Sequence, residues 1–198
     1  MTSLLPFLLT TFALVGSPGP NTLSVAAVGA AYGRSKGVPY LLGICLGVLA
    51  VVALVGSGLA ALVLSFPGVK PVVTTLAGIY LLYLAYKIAT AGPLGSHRSA
   101  ASLNPPAWYA GFALSLVNPK AYASVAAVFS QYVLVTNNLL ADSLLKAGLF
   151  MAAIVMVNIA WLLVGSAISR HLRDAQTSKV VNRIFAALLI ASVLLVVL

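Results

Sequence analysis

Acidic side chains are nearly missing from this chain: its 198 residues include two, Asp142 and Asp174, and no glutamate. Charged residues of both signs make up 7%, against about 25% in an average soluble domain. Hydrophobic residues make up 62%, and the mean hydropathy is +1.10. A soluble domain of this size cannot hide so much apolar surface, which excludes an ordinary cytosolic enzyme. Disorder is excluded as well, because it requires low hydrophobicity. Cysteine is almost absent. Cys45 is alone, so the chain can form neither an internal disulfide nor a thiolate metal cluster. His97 and His171 have no zinc-binding spacing, and no metal or cofactor is expected. The apolar runs lack a His-Glu zinc motif, a Ser-His pair or paired aspartates, so an intramembrane enzyme is not expected either.

What remains is an all-α integral membrane protein. At roughly 20 residues per spanning helix, the length suits about six helices with short loops. The apolar runs are Leu4 to about Val28, Val38 to Leu64, Val72 to Ala89, Ala107 to Val135, Ala147 to Ile168 and Val180 to Leu198. Between them lie a loop with Arg34 and Lys36, a turn at 65–71, a polar linker at 92–106, a loop with Asp142 and Lys146, and a basic loop after Ile168. No Lys or Arg precedes the first run, so residues 1–16 are expected to be a retained helix rather than a cleaved signal peptide. The whole chain, 1–198, reads as one transmembrane domain.

The net charge of +9 would suggest nucleic acid in a soluble protein. Here the basic residues flank apolar runs and are read as loops facing an anionic leaflet. Membrane lipid, not nucleic acid, is therefore the expected partner. The first, third and fifth connections hold Arg34, Lys36, Lys87, Arg98, Arg170, Arg173, Lys179 and Arg183, whereas the second and fourth hold only Lys70 and Lys146. The positive-inside rule then puts both termini on the outer side.

Pro20 and Pro119 stand 99 positions apart, each in the middle of an apolar run, and Ser24 to Val28 repeats as Ser124 to Val128. Two three-helix halves, about 1–92 and 104–198, must have opposite orientation because three is odd. The expected plan is an inverted 3+3 repeat with helices one and four broken at proline. A proline inside a helix frees a carbonyl four residues earlier, here those of Leu14, Gly16 and Ser115. Such breaks are costly in lipid unless they line a protein cavity, and the helix N-termini after them suit a carboxylate. Lys120 is the one charge deep in a run; it either binds an anionic group or is held by the freed carbonyls. Asn21 and Asn118 flank the prolines and either bridge backbone groups or touch substrate. Tyr80, Tyr83 and Tyr86 form a stripe that suits core or interface, with Tyr80 kept as a candidate contact. Gly43 and Gly47 have the spacing of close helix packing, Asn158 suits an interhelical hydrogen bond, and Trp161 suits packing.

Ser17-Pro18-Gly19-Pro20-Asn21-Thr22-Leu23, then Gly33-Arg34, Gly37, Gly43 and Gly47, resemble the start of the lysine exporter (LysE/RhtB-type) family. Gly78-Ile79-Tyr80-Leu81 and the run ending in Leu116-Val117-Asn118-Pro119-Lys120 resemble it further. The motifs cover about residues 8–132, and length and helix count fit throughout. The resemblance implies a bacterial inner-membrane exporter of amino acids or related metabolites, driven by a proton or ion gradient and working as an oligomer, a dimer. It centres the site on Pro18, Gly19, Pro20, Asn21, Asn118, Pro119 and Lys120. The lack of acids in the spans favours neutral, zwitterionic substrates over lysine or arginine. A channel or a non-transporting membrane assembly subunit is the alternative reading.

Overall fold

The computed structural model describes residues 3–60, 66, 68–90, 105–171 and 175–197. His97, Arg98, Arg173, Asp174 and the expected repeat edges at 92 and 104 lie outside them. The described residues are all-helical. The helices are α1 (Leu4–Gly16), α2 (Pro20–Gly56), α3 (Val69–Ala89), α4 (Trp108–Val117), α5 (Pro119–Gln131), α6 (Leu139–His171) and α7 (Ala175–Val197).

Among the described residues, two helices are long and apolar enough to cross a membrane, α2 and the 139–168 stretch of α6. The α4–α5 pair passes the same test as a unit, although it bends by 62° at Asn118. The 37 residues of α2 would measure about 55 Å if straight, far beyond a hydrocarbon core of about 30 Å. It is not one helix geometrically: Gly33, at φ 80° and ψ 167°, leaves helical conformation and divides it into 20–32 and 34–56. That conformation suits glycine because it has no Cβ to clash. The loop expected around Arg34 and Lys36 therefore shrinks to this one residue, with Arg34, Ser35 and Lys36 exposed just beyond it.

The core forms around α2, which packs against α4, α6 and α7. Val25 to Val28, Tyr40, Ile44, Val48 and Val51 are buried at its centre. Glycines set how near the neighbours come. A Cβ on Gly43 would collide with the Trp108 backbone, and one on Gly47 would stand 2.6 Å from Phe112 O. Gly111, facing back from α4, lies against Tyr40 O. On the other side, Gly165 of α6 lies against Ala26 O, and a Cβ on Gly29 would meet Leu162 O at 2.5 Å. Opposite this seam, Leu42, Leu46 and Leu49 are exposed along one face of α2. In a membrane protein such a face meets lipid tails.

The start of α6 corrects the expected charged loop at Asp142 and Lys146. Asn138 begins the helix by accepting the Ala141 amide on Oδ1 (3.0 Å), and both charged residues lie within its first two turns. They are buried and joined at 2.6 Å. Asp142 Oδ1 also accepts the Leu134 and Val135 amides (2.6 and 2.9 Å). Lys146 Nζ donates to Phe129 O and Tyr132 O (both 3.0 Å). The pair thus closes the end of α5 and the following connection. Tyr132 ties that connection to α1 through its hydroxyl at Thr10 Oγ1 (2.7 Å) and its ring edge-to-face with Phe7.

Two stability tests follow from this packing. Gly43→Val and Gly165→Val should each cost about 1–3 kcal/mol of stability or more and so lower the thermal midpoint in detergent, because backbone blocks the new side chain. Gly148→Ala, where nothing lies within 4 Å, should leave it unchanged or raise it slightly. Asp142→Asn should cost about 3–5 kcal/mol by stranding a buried ammonium, and adding Lys146→Met should restore part of that loss. A midpoint unmoved by Asp142→Asn would remove the pair from the account of stability.

Candidate functional site

Four helix ends come together in this fold. α1 stops at Gly16 and α2 starts at Pro20; α4 stops at Val117 and α5 starts at Pro119. Pro20 and Pro119 each take the first position of their helix, where a missing N–H leaves no bond unmade and the fixed φ suits the turn. Each start is capped locally. Thr22 Oγ1 accepts the Gly19 amide (3.0 Å), and Asn118 Oδ1 accepts the Lys120 amide (3.1 Å).

The carbonyls at the ends of α1 and α4 have partners within the protein. Leu14 O accepts the Ser17 hydroxyl (2.8 Å), and Gly16 O accepts the Trp161 indole N–H (3.3 Å). Ser115 O accepts the Asn118 amide (3.3 Å), and Leu116 O accepts the Tyr122 hydroxyl (2.9 Å). Lys120 completes the set from the first turn of α5. Its Nζ donates to Ser17 O (2.6 Å), Ser17 Oγ (2.8 Å) and Pro18 O (3.3 Å). A lysine ammonium at the C-terminal end of a helix is favoured by both hydrogen bonding and the helix dipole. Asn21 makes the reverse connection: Nδ2 donates to Ser115 Oγ (3.1 Å) in α4, and that hydroxyl donates to Ile44 O (3.0 Å).

These ends border a cavity of about 30 Å³, enough for one or two waters but not an amino acid. It is lined by Leu14 and Val15 of α1, Gly19, Asn21, Thr22 and Val48 around α2, Asn118, Lys120, Ala121 and Ser124 around α5, and Phe150, Ile154 and Asn158 of α6. Of the residues expected from sequence, Gly19, Asn21, Asn118 and Lys120 meet there. Pro18 lends its carbonyl to Lys120, while Pro20 and Pro119 open helices and do not line the cavity. Tyr80 lies on α3 beside Tyr83, with ring centroids 6.5 Å apart, and is not among the lining residues.

Ser17, Thr22 and Ser124 stood in the sequence motifs without a role of their own, and Phe150, an ordinary apolar residue, carried no local signal. Ser115 was visible only as a carbonyl, yet its hydroxyl joins Asn21 to α2. Trp161, expected to pack, also donates a hydrogen bond. Asn158, expected to bridge helices, donates from Nδ2 to Ile154 O (2.8 Å) of its own helix. Two buried side-chain oxygens among the lining residues have no hydrogen-bond partner, Asn21 Oδ1 and Asn158 Oδ1.

Apolar outer faces, and helix ends that meet at a small cavity with a few polar groups in an otherwise apolar lining, define a helical protein suited to a membrane. The LysE type translocator family model matches residues 12–198, and the chain belongs to that family. It is 28% identical to a leucine efflux protein of Enterobacter sp. (strain 638) over 166 residues, 82% of this chain and 79% of the relative. A cysteine/O-acetylserine efflux protein of Salmonella typhimurium is 27% identical over 175 residues, 88% of this chain and 87% of the relative. A leucine efflux protein of Klebsiella pneumoniae reaches 34% over 119 residues, 59% and 56% of the two chains. No solved structure matches significantly.

Asn118 can be tested apart from any transport. Asn118→Ala removes the cap on α5 and should cost about 1 kcal/mol, whereas Asn118→Asp should keep most of the stability. Equal melting of both variants and the parent would show that the cap contributes nothing.

Proposed function

We propose that this protein is a secondary active exporter of amino acids in the bacterial inner membrane, and that its substrates are zwitterionic rather than basic. The observation that carries the reading is the Lys120 bridge. A single ammonium, on the first turn of one half-helix, is held at a central cavity by hydroxyl and carbonyl oxygens of the segment after another.

In this reading the chain is one transmembrane domain of six spans in two inverted halves. The first span is α1 with residues 20–32, the second 34–56, the third α3, the fourth α4 with α5, the fifth α6 and the sixth α7. The cross-connections support the symmetry. Asn21 and Lys120, 99 positions apart, occupy equivalent first-turn positions, and each reaches the opposite broken span. Inverted halves around a midplane site are a common transporter plan. Both termini lie outside in this reading. Pairing of Lys146 with Asp142 supports that orientation, since it neutralises one of the two cations expected on the outer side. The working unit is a homodimer.

Transport follows from competition for Lys120. An entering carboxylate offers the ammonium a charge-assisted partner stronger than neutral carbonyls. Taking it releases the α1–α5 bridge. Binding energy that differs between bridged and open states shifts the population between them, as alternating access requires. A proton or ion gradient supplies the direction. The relatives named for leucine and for cysteine/O-acetylserine support a zwitterionic substrate, and so does the lack of a carboxylate among the lining residues.

The test is efflux from proteoliposomes loaded with a mixture of labelled amino acids. Wild type should release a few zwitterionic amino acids, and Lys120→Ala should release them about tenfold more slowly or worse. Preference for lysine over neutral amino acids would overturn the substrate class. Unchanged efflux in Lys120→Ala would overturn the role of the bridge.

A further inference from the structure

We infer that Asn21 and Asn158 together form the receptor for the substrate's ammonium group; this rests on the amino-acid export reading above. The backbone carbonyls of Leu14, Gly16 and Ser115 at the helix ends are already engaged by protein donors. Of the five buried side-chain oxygens without a partner among the described residues, two belong to residues that line the cavity, Asn21 Oδ1 and Asn158 Oδ1.

Hydrogen bonding fixes the orientation of both amides. Asn158 is 2% exposed, and the partner of its Nδ2, Ile154 O, can only accept. Turning the amide over would set oxygen against oxygen. At Asn21 the Ser115 hydroxyl has given its proton to Ile44 O, so it must receive one from Nδ2. Each amide thus has its nitrogen engaged and its oxygen unpaired. A buried acceptor without a donor is costly, and the ligand that relieves two at once must carry several donors. An alkylammonium has three. Neutral amides also suit transport: they replace part of the ammonium's hydration without the full charge that would hold it tightly. With Lys120 in the same wall for the carboxylate, the cavity offers both complements of a zwitterion. This makes the free α-amino group a requirement for recognition.

The experiment uses full-length protein in proteoliposomes and three probe pairs, each an amino acid and the same acid without its amino group. The pairs are leucine with 4-methylpentanoate, methionine with 4-(methylthio)butanoate, and cysteine with 3-mercaptopropionate. Competition against counterflow of the labelled amino acids gives the preference within each pair. Wild type should prefer the amino acid by about tenfold or more. Asn158→Leu and Asn21→Leu should each erase most of that preference by weakening the amino acid and not its analogue. Asn158→Asp, nearly isosteric and still an acceptor, should widen the preference; it decides the matter if the leucine variants fail to fold. The inference is overturned if wild type does not discriminate within pairs, or if neither Asn158→Leu nor Asn158→Asp changes the preference. Wild type that carries none of the three amino acids sinks the export reading itself, and that failure is distinct because it precedes any variant.

Discussion

A helix that ends inside an apolar body must find partners for its last carbonyls, because no bulk water is there to take them. That demand organises this structure. α1 and α4 both end within apolar stretches, and donors near in sequence (Ser17, Tyr122) and far from them (Trp161, Lys120) meet the carbonyls there. The Ser17 hydroxyl, the Trp161 indole, the Tyr122 hydroxyl and the Lys120 ammonium each satisfy one or more carbonyls. The starts of α2 and α5 pose the opposite problem, solved by proline, which lacks an N–H, and by the side chains of Thr22 and Asn118. The polar groups at the centre therefore follow from the helix ends that meet there, and the cavity lies where those ends converge.

Close packing holds those ends in place. Gly43, Gly47 and Gly111 let α2 and α4 approach backbone to backbone, while Gly29 and Gly165 do the same for α2 and α6. Lipid tails are as apolar as leucine, so helices in a membrane gain little from hiding apolar side chains and depend on this kind of contact. The seam also brings Ile44 O within reach of the Ser115 hydroxyl, which in turn orients Asn21. A packing feature thus reaches the cavity through two hydrogen bonds.

The sequence was most informative where a residue was locally out of place. Prolines, glycine and asparagine inside apolar runs marked the segments at 17–21 and 118–120, because their effect on a helix is local. GxxxG spacing marked the α2 seam for the same reason. Partners were not legible. Lys120 reaches Ser17 across 103 positions, and Asn21 reaches Ser115 across 94. Such pairings depend on how the helices pack, which periodicity does not encode. The unpaired oxygens of Asn21 and Asn158 were hidden more deeply, since they follow from which way each amide is turned. The Asp142–Lys146 spacing, one helical turn, was visible. It read as a loop because charge usually means solvent, whereas here two backbone amides and two carbonyls complete the pair's burial. Tyr80 is not among the lining residues, and aromatic spacing on α3 carries no information about distance from the cavity.

The two internal lysines show why a shortage of acid matters. Both cover carbonyls at or just beyond a helix end, Lys146 at Phe129 and Tyr132 and Lys120 at Ser17 and Pro18. Lys146 also has a carboxylate at 2.6 Å, buried with it, and separating the two would leave charge uncompensated in an apolar interior. That makes the first arrangement a fixed part of the fold. The oxygens that receive the Lys120 ammonium are hydroxyl and carbonyl oxygens, with no full negative charge. An anion can outbid them electrostatically, while a fixed aspartate in the same place would already have claimed the ammonium. The export reading draws on that contrast: a cation held only by neutral oxygens is stable enough to close the structure and still open to exchange for a substrate's carboxylate.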